Sequence, residues 1–474
     1  MSAQCSRRRL LASAGAAGLA ASLPSPLAAA APHQLIADRR SIVVNGKSAS
    51  VFGLRRPDGQ SGLILDPGER FTVDLLNRTG EPTIVHWHGQ TPPPDQDGVT
   101  DTGYVAPIAP GATQRYDFAA RPGTHWMHSH HGLQEQELLA APLIVRSADD
   151  TRLDAQEVTV LLHDFSFRSP AEILATVTGS AGMNHGATPA MAHGGHGRRG
   201  AAAMDLNDFD YDAYLANDRS FADPMMVRTE RSGRVRLRLI NGATSTAFWV
   251  ELGALRASLL AVDGNPVTPL DVRRLPLAQG QRVDLLLTLP AGGGAFPVIA
   301  QREGDRQRTG IILASPGSAI TRVADLADAP VGAIDLSLET RLTVVEPLAN
   351  RQPDSRHRLG LTGSMMPYVW TLDGRSWANR QPLRIKTGQR VEVDLVNNSQ
   401  MAHPMHLHGH HFQVVAINGR RLAGAVRDTV LVPIDATVTI AFDADNPGRW
   451  LLHCHNLFHM ATGMMTEVSY ADVS

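Results

Sequence analysis

Four His-x-His pairs are the residues of this 474-residue chain most able to do chemistry. They are His86 and His88, His128 and His130, His406 and His408, and His453 and His455. Residues i and i+2 of a β-strand point to the same face, so each pair would direct two imidazoles at one point. Eight buried imidazoles without ligands would be costly, and four pairs rarely arise by chance. The set therefore predicts a shared metal site.

The ligand types indicate which metal this site would hold. A zinc site closes with four ligands and has no use for eight histidines, whereas many imidazoles with a single thiolate suit copper. A second group of residues fits the trigonal copper site of electron transfer, which has two histidines, one cysteine and a weak axial methionine. Its members are His403, Cys454, His459 and Met464.

Cys454 joins the two groups, because its neighbours His453 and His455 belong to the His-x-His set. An electron that reaches its sulfur can leave through the backbone to either neighbour. The other cysteine, Cys5, lies in a segment that we expect to be cleaved, so no intramolecular disulfide is expected.

A strand pattern that occurs three times indicates what positions these side chains. Residues 68–77, 233–241 and 388–397 each begin with Gly, alternate apolar and polar residues, and end in Asn. Alternation of period two marks a half-buried strand, and the interval between copies has the length of a domain. Frequent glycine and proline, with short alternating segments, favour β-sandwiches over helical bundles.

The histidines follow the same repeat. His86 lies nine residues after Asn77, and His406 lies nine residues after Asn397. The middle copy has residues 247–250 and 296–300 at the corresponding places, without a histidine. We therefore expect the first and last domains to meet at the metal site, while the middle domain spaces them.

These four segments resemble the multicopper oxidases, which include laccases, cuprous oxidases and bilirubin oxidases. The matching motifs are H-W-H-G at 86–89, H-S-H at 128–130, H-P-M-H-L-H-G at 403–409 and H-C-H-N-L-F-H-M-A-T-G-M at 453–464. The resemblance implies an all-β chain of three tandem cupredoxin-like Greek-key β-sandwich domains. We expect these domains at residues 32–150, 151–325 and 326–474.

By this resemblance the chain would hold four copper ions: one of type 1, one of type 2 and two of type 3. The type 1 ligands would be His403, Cys454, His459 and Met464; the type 2 ligands His86 and His406; and the type 3 ligands His88, His128 and His455 for one ion and His130, His408 and His453 for the other. Substrate would give single electrons to the type 1 copper. Dioxygen would be reduced to water at the other three.

Protons must also reach the oxygen site, and a nearby carboxylate is the natural donor. Asp97, which precedes Gly98, occupies the position that many family members use; a turn aspartate before glycine is the alternative interpretation. In some members a second acidic residue directly follows the last type 1 histidine. That position is Met460 here, which leaves the second proton donor unassigned.

A segment near residues 182–204 bears on the substrate because it is rich in soft metal ligands. These are Met183, His185, Met191, His193, His196 and Met204. Thioethers and imidazoles favour Cu(I), so the segment predicts capture of cuprous ions; a low-complexity linker is the alternative. Met401 is a further expected Cu(I) contact. The acidic residue that some cuprous oxidases place nearby is Ser399 here, which weakens the case for a dedicated cuprous site.

The first 31 residues look like a twin-arginine export signal. Three arginines at 7–9 are followed by an apolar, alanine-rich stretch from about Leu10 to Leu23 and by small residues at 28–31. The apolar run is too short for a good membrane span, so the expected location is the periplasm. A net charge of −2 gives no electrostatic reason to expect nucleic acid or an anionic membrane as partner.

Three functions are compatible with these features. The first is an oxidase of copper tolerance that acts on Cu(I), and also on phenols. The second is a broad, laccase-like phenol oxidase. The third, a periplasmic copper-binding protein without turnover, fits poorly with a complete set of ligands. The expected partners are dioxygen and Cu(I) or small phenols, and the expected state is a monomer.

Overall fold

The computed structural model describes residues 31–179 and 206–472. Within these ranges nearly all regular structure is β, arranged as three successive pairs of sheets, and the predicted all-β fold of three sandwiches is confirmed. Residues 1–30 of the expected export signal, and the six Met and His residues between 183 and 204, lie outside the described residues. No helix in the described part of the chain has the length and hydropathy needed to cross a bilayer.

The first sandwich consists of two four-stranded sheets, with strand orders β2-β1-β4-β6 and β3-β8-β7-β5. Its strands are β1 (His33–Val44), β2 (Lys47–Arg55), β3 (Leu63–Leu65), β4 (Phe71–Arg78), β5 (Val85–His88), β6 (Thr113–Phe118), β7 (Gly123–Ser129) and β8 (Ala140–Val145). The rings of Phe71 and Trp87 pack 4.6 Å apart between the two sheets. This contact joins β5, which carries the first histidine pair, to the core.

The second sandwich has a six-stranded sheet, β10-β9-β12-β17-β14-β15, and a five-stranded sheet, β11-β19-β18-β13-β16. Its strands are β9 (Gln156–Phe165), β10 (Ala213–Ala216), β11 (Met225–Arg228), β12 (Arg234–Asn241), β13 (Phe248–Glu251), β14 (Ala257–Val262), β15 (Asn265–Val272), β16 (Arg274–Leu277), β17 (Arg282–Thr288), β18 (Ala295–Arg302) and β19 (Arg308–Ala314).

The third sandwich has a seven-stranded sheet, β21-β20-β23-β29-β25-β26 with β27 on β25, and a five-stranded sheet, β22-β31-β30-β24-β28. Its strands are β20 (Ser355–Met365), β21 (Tyr368–Leu372), β22 (Leu383–Ile385), β23 (Arg390–Asn397), β24 (His403–Leu407), β25 (Phe412–Ile417), β26 (Arg420–Arg421), β27 (Val426–Arg427), β28 (Thr429–Val432), β29 (Thr437–Asp443), β30 (Arg449–Cys454) and β31 (Met465–Tyr470).

Short helices make up the rest of the regular structure in the described ranges. They are α1 (Ala148–Arg152), α2 (Pro170–Val177) and α3 (Leu457–Ala461), with 3-10 turns at Pro94–Gln96, Gln134–Glu137, Glu339–Arg341 and Trp377–Asn379. The side chain of Asn456 caps α3 by accepting from the backbone N–H groups of Phe458 and His459. This cap fixes the start of the turn that carries His459.

The asparagine that ends each repeated strand makes the same bonds in all three sandwiches. The side-chain nitrogens of Asn77, Asn241 and Asn397 each donate to two backbone carbonyls at 2.7–3.0 Å. Each Oδ1 accepts from the backbone N–H two residues further along the chain. The asparagine therefore fixes the loop that leads into the next strand, which is β5 in the first sandwich and β24 in the third.

Candidate metal centre

The four His-x-His pairs lie on two equivalent pairs of strands. β5 pairs with β7 so that His86 lies opposite His128, and β24 pairs with β30 so that His406 lies opposite His453. The middle sandwich pairs β13 with β18 in the same way, but its paired residues, among them Val250 opposite Ala300, include no histidine. The repeat thus gives the same local geometry three times, with imidazoles only in the first and third copies.

The eight histidines converge where the first and third sandwiches meet. Their ring nitrogens form three groups, within each of which the ligand atoms lie no more than 4.8 Å apart: His86, His88 and His406; His88, His128 and His455; and His130, His408 and His453. Each group combines histidines of both sandwiches, so the contact between the sandwiches forms the site. All eight side chains are buried.

The unpaired ring nitrogens show that this cluster fits a metal. Buried nitrogens without a hydrogen-bond partner in the described part of the chain are His86 Nε2, His88 Nδ1, His128 Nε2, His130 Nε2, His406 Nε2 and both nitrogens of His455. Leaving so many buried polar atoms without a partner would be costly. Burial also lowers the pKa of His128 and His406 well below the usual value, which keeps these imidazoles in the neutral, metal-binding form. An imidazole-rich donor set of this kind fits copper.

Asp97 bridges the two halves of the cluster. Its Oδ2 accepts a hydrogen bond from His408 Nδ1 at 2.8 Å, and its backbone oxygen accepts from His86 Nδ1 at 2.9 Å. It follows the 3-10 turn and precedes Gly98, whose φ is +77°. A Cβ at Gly98 would lie 1.8 Å from the backbone oxygen of Val85, so the turn requires glycine. Asp97 is thus both a turn residue and a contact of the cluster.

Asp428, which no motif in the sequence indicates, holds the opposite side of the cluster. Its Oδ1 accepts from His88 Nε2 at 3.0 Å, and its backbone oxygen accepts from His406 Nδ1 at 2.9 Å. Arg282 of the middle sandwich donates to both carboxylate oxygens, at 2.7 and 2.6 Å. Burial alone would raise the pKa of the Asp428 carboxyl, but the charge and hydrogen bonds of Arg282 hold it well below its usual range. The middle domain therefore does more than space the other two.

Glu135 is a second unpredicted carboxylate at the cluster. It lies in the turn Gln134–Glu137, and its Oε2 accepts from His128 Nδ1 at 2.8 Å. Burial raises the pKa of Glu135 to about 7. Carboxylates that bind the outer nitrogen of a metal-binding histidine fix the tautomer, so that the other nitrogen faces the metal.

His403, Cys454 and His459 form a separate buried group. Cys454 Sγ lies 3.7 Å from His403 Nδ1 and 3.6 Å from His459 Nδ1, and the two nitrogens are 3.2 Å apart. Met464 is fully buried, and its backbone oxygen accepts from the Cys454 N–H at 3.1 Å. Burial raises the pKa of the Cys454 thiol, so a thiolate here requires a bound cation. Two imidazoles and a thiolate, beside the buried residue Met464, fit a copper ion.

The outer nitrogens of these two histidines have partners that were not predicted. His403 Nε2 bonds Ser399 Oγ at 2.7 Å, and His459 Nε2 bonds Asp208 Oδ1 at 3.1 Å. The Asp208 side chain is fully buried, and its other oxygen accepts from Asn456 Nδ2 at 2.5 Å. Both bonds leave Nδ1 as the atom that faces Cys454.

Met401, the remaining predicted Cu(I) contact in the described residues, is buried in the core with 4% of its surface exposed.

We expect Asp208→Asn to raise the reduction potential of copper bound beside His459. The amide attracts the Nε2 proton less than the carboxylate does, so His459 becomes a weaker donor to the oxidised ion. Loss of such a partner typically costs about tenfold in metal affinity or activity. A redox titration of the copper–thiolate absorption measures the shift. Asp210→Asn is the matched control, because the Asp210 side chain is 90% exposed. An unchanged potential in Asp208→Asn would contradict this role.

Three β-sandwiches, with a histidine cluster between the first and third and a Cys–His group in the third, define a cupredoxin-type copper protein. Three sequence profiles, each described as multicopper oxidase, match residues 59–150, 179–322 and 350–473. Multicopper oxidase MmcO of Mycobacterium tuberculosis is 32% identical over 413 residues, which cover 85% of this chain and 80% of that protein. The chain belongs to the multicopper oxidase family and is an oxidoreductase.

Two further likenesses agree with this family. The copper resistance protein A homolog of Pseudomonas syringae is 26% identical, with 85% of this chain and 86% of that protein covered. The crystal structure of the laccase from Botrytis aclada superposes with a TM-score of 0.74 at 22% identity, covering 93% of this chain and 88% of that one, and shows the same fold.

Proposed function

We propose that the chain oxidises Cu(I) in copper tolerance, one electron at a time, and couples this to the reduction of dioxygen to two waters. The observation that carries the proposal is the position of Cys454. Its sulfur belongs to the group with His403 and His459, while the adjacent His453 and His455 belong to the histidine cluster. One stretch of backbone therefore connects an electron-accepting site to an oxygen site.

Four bound coppers would supply the one-electron acceptor and the four-electron reduction of dioxygen. We assign their ligands as the sequence motifs imply. Type 1 takes His403, Cys454, His459 and Met464; type 2 takes His86 and His406; one type 3 ion takes His88, His128 and His455, and the other takes His130, His408 and His453. The three nitrogen groups of the cluster support this division.

Asp97 would hold a proton for the reduction of dioxygen. Its Oδ2 is bound by His408, whereas its Oδ1 has no hydrogen-bond partner among the described residues and can carry the proton. We expect Asp97→Asn to lower the rate of oxygen consumption about 10²- to 10⁴-fold. An amide has the same shape but cannot deliver the proton.

Oxygen uptake at saturating substrate measures this effect, with copper content and absorption determined in parallel. Asp95→Asn is the control, because Asp95 is exposed on the same turn. Full activity of Asp97→Asn with four coppers bound would rule out the proposed proton route.

Two observations support Cu(I) as the substrate. One is the likeness to proteins named copper resistance protein A. The other is that Asp208, which follows Met204 by only four residues in the sequence, contacts His459. The Met- and His-rich segment is thus connected to the proposed type 1 site by a very short stretch of chain. The second candidate, a broad phenol oxidase, is favoured by the likeness to laccases.

Replacing the six Met and His residues of 183–204 by serine separates the two candidates. We expect oxidation of Cu(I) to fall several-fold while oxidation of a phenol stays unchanged, because the length of the segment is kept and only its soft ligands are lost. Steady-state oxygen uptake with each substrate measures this. If the variant and the parent protein oxidised Cu(I) at equal rates, the segment would have no part in Cu(I) oxidation.

Export to the periplasm, as a monomer, is part of the proposal. The proposed location rests on the arginine-rich, alanine-rich start of the sequence. Sequencing the N-terminus of the exported protein tests the location, since a mature chain that begins near residue 32 is expected.

A further inference from the structure

A cavity of about 240 Å³ lies between the first and second sandwiches, away from the two proposed copper sites. Its two main walls are the outward faces of β8 and β9. The inward residues of these strands, Ala141, Leu143, Val145, Val158, Val160 and Leu162, belong to the two cores. The alternate residues line the cavity: Ala140, Pro142, Ile144, Thr159, Leu161 and His163. Strand alternation thus directs one face of each strand into the cavity.

His163 is the feature of this cavity that indicates a ligand. His163 is 3% exposed, and its buried ring nitrogen Nδ1 has no hydrogen-bond partner among the described residues. It belongs to none of the proposed copper ligand groups. Buried polar groups are normally paired, because an unpaired one costs desolvation without compensation. A hydrogen-bonding group inside the cavity would supply the missing partner.

The other polar groups of the cavity favour a neutral ligand. Arg40 and Asp218 pair with each other through two bonds of 2.8 Å, so neither offers an uncompensated charge. The Asn217 side chain already bonds the backbone of Leu161 and Thr159. A charged ligand would therefore be desolvated without an opposite charge to receive it.

Size and wall chemistry define the rest of the ligand. Ile64, Pro142, Ile144 and Leu161 give the cavity apolar walls. An apolar cavity of about 150 Å³ can hold benzene, so this larger one admits a single six-membered ring with a short polar substituent. We propose that the cavity binds a small neutral ring alcohol, whose hydroxyl group bonds His163. This binding does not depend on the proposed oxidase reaction.

The cavity is also connected to the metal centre by packing. Trp126 packs with Ala140 and Leu161 in one apolar cluster. The same ring stacks on His128, with centroids 4.2 Å apart. A molecule in the cavity would therefore lie against the residues that support a cluster histidine, without contacting that histidine itself.

Calorimetric titration of the copper-loaded protein without oxygen tests the binding. The three probes are benzyl alcohol, toluene, which lacks the hydroxyl, and benzoate, which carries a charge. We expect one benzyl alcohol per chain, toluene bound about tenfold more weakly because it lacks one hydrogen bond, and no binding of benzoate. Absence of benzyl alcohol binding, or equal affinity for toluene, would overturn the proposal.

Variants of the cavity residues test whether benzyl alcohol binds in this cavity. His163→Phe should bind benzyl alcohol and toluene equally, and should keep the parent copper content and absorption. His163→Gln, which retains hydrogen-bonding groups, should keep the preference for the alcohol, and Ile144→Phe should weaken both ligands by filling the cavity. His357→Phe in the third sandwich is the control and should change nothing. An alcohol preference that survives in His163→Phe would place the site elsewhere.

Discussion

Replacing Cys454 by serine is expected to abolish the blue absorption of the protein and its turnover together. The absorption requires a copper–thiolate bond, and the hydroxyl of serine does not form one. The same change removes the sulfur from which the backbone leads to His453 and His455. The histidine cluster, whose ligands are untouched, should retain its copper, so the chain should lose one copper ion.

Absorption spectroscopy, copper analysis and oxygen uptake measure these three effects. Met464→Leu is a graded variant, because losing the weak axial thioether should keep the colour and raise the reduction potential. Met465→Leu is the matched control, since Met465 adjoins Met464 but packs in a small apolar cluster with Val99 and Leu451. If Cys454→Ser retained turnover, the route through Cys454 would be wrong.

Arg282→Met should produce the largest loss of stability. Arg282 is fully buried, and it gives two hydrogen bonds to Asp428 and one each to the backbone oxygens of Gly280 and Thr124. Removing it leaves the Asp428 carboxylate buried without its main partner. Breaking a buried ion pair in this way costs about 3–5 kcal/mol. We also expect copper to be lost from the cluster, because Asp428 orients His88 and His406.

Thermal unfolding and copper analysis measure the two effects, and a double variant separates them. Arg282→Met with Asp428→Leu removes both charges, so most of the stability should return. Copper binding should stay weak, because His88 Nε2 has lost its carboxylate. Arg351→Met is the control. Arg351 is 42% exposed and its ion pairs are at the surface, so the cost should be about 1 kcal/mol or less. A stable, fully loaded Arg282→Met protein would contradict the proposed role.

The parts of the site that local spacing encodes could be predicted from the sequence. Residues i and i+2 of a β-strand point to the same face. The His-x-His pairs at 86–88 and 406–408 could therefore be recognised as metal ligands without a structure. The same holds for the repeated strands, whose alternation and final asparagine are local features. The all-β fold followed from these patterns.

Residues that act through distant contacts could not be predicted. Asp428 lies 340 positions from His88 in the sequence, and Asp208 lies 251 positions from His459. Neither belongs to a motif, and an isolated aspartate in a sequence is most often a surface or turn residue. Only the packing of the sandwiches shows that these carboxylates are buried against histidines. Asp97 differs from Asp428 and Asp208, because the family resemblance indicated it as a proton donor. A simple turn aspartate was the alternative interpretation.

The sequence by itself determined which side chains can bind copper, because strand periodicity and a twice-repeated histidine motif are properties of neighbouring residues. Tertiary structure alone decided which of those nitrogens converge and what holds them. The first and third sandwiches must meet before histidines of both can surround one ion. The middle sandwich must then place Arg282 beside Asp428. A buried carboxylate is stable where the first and third sandwiches meet only beside an opposite charge.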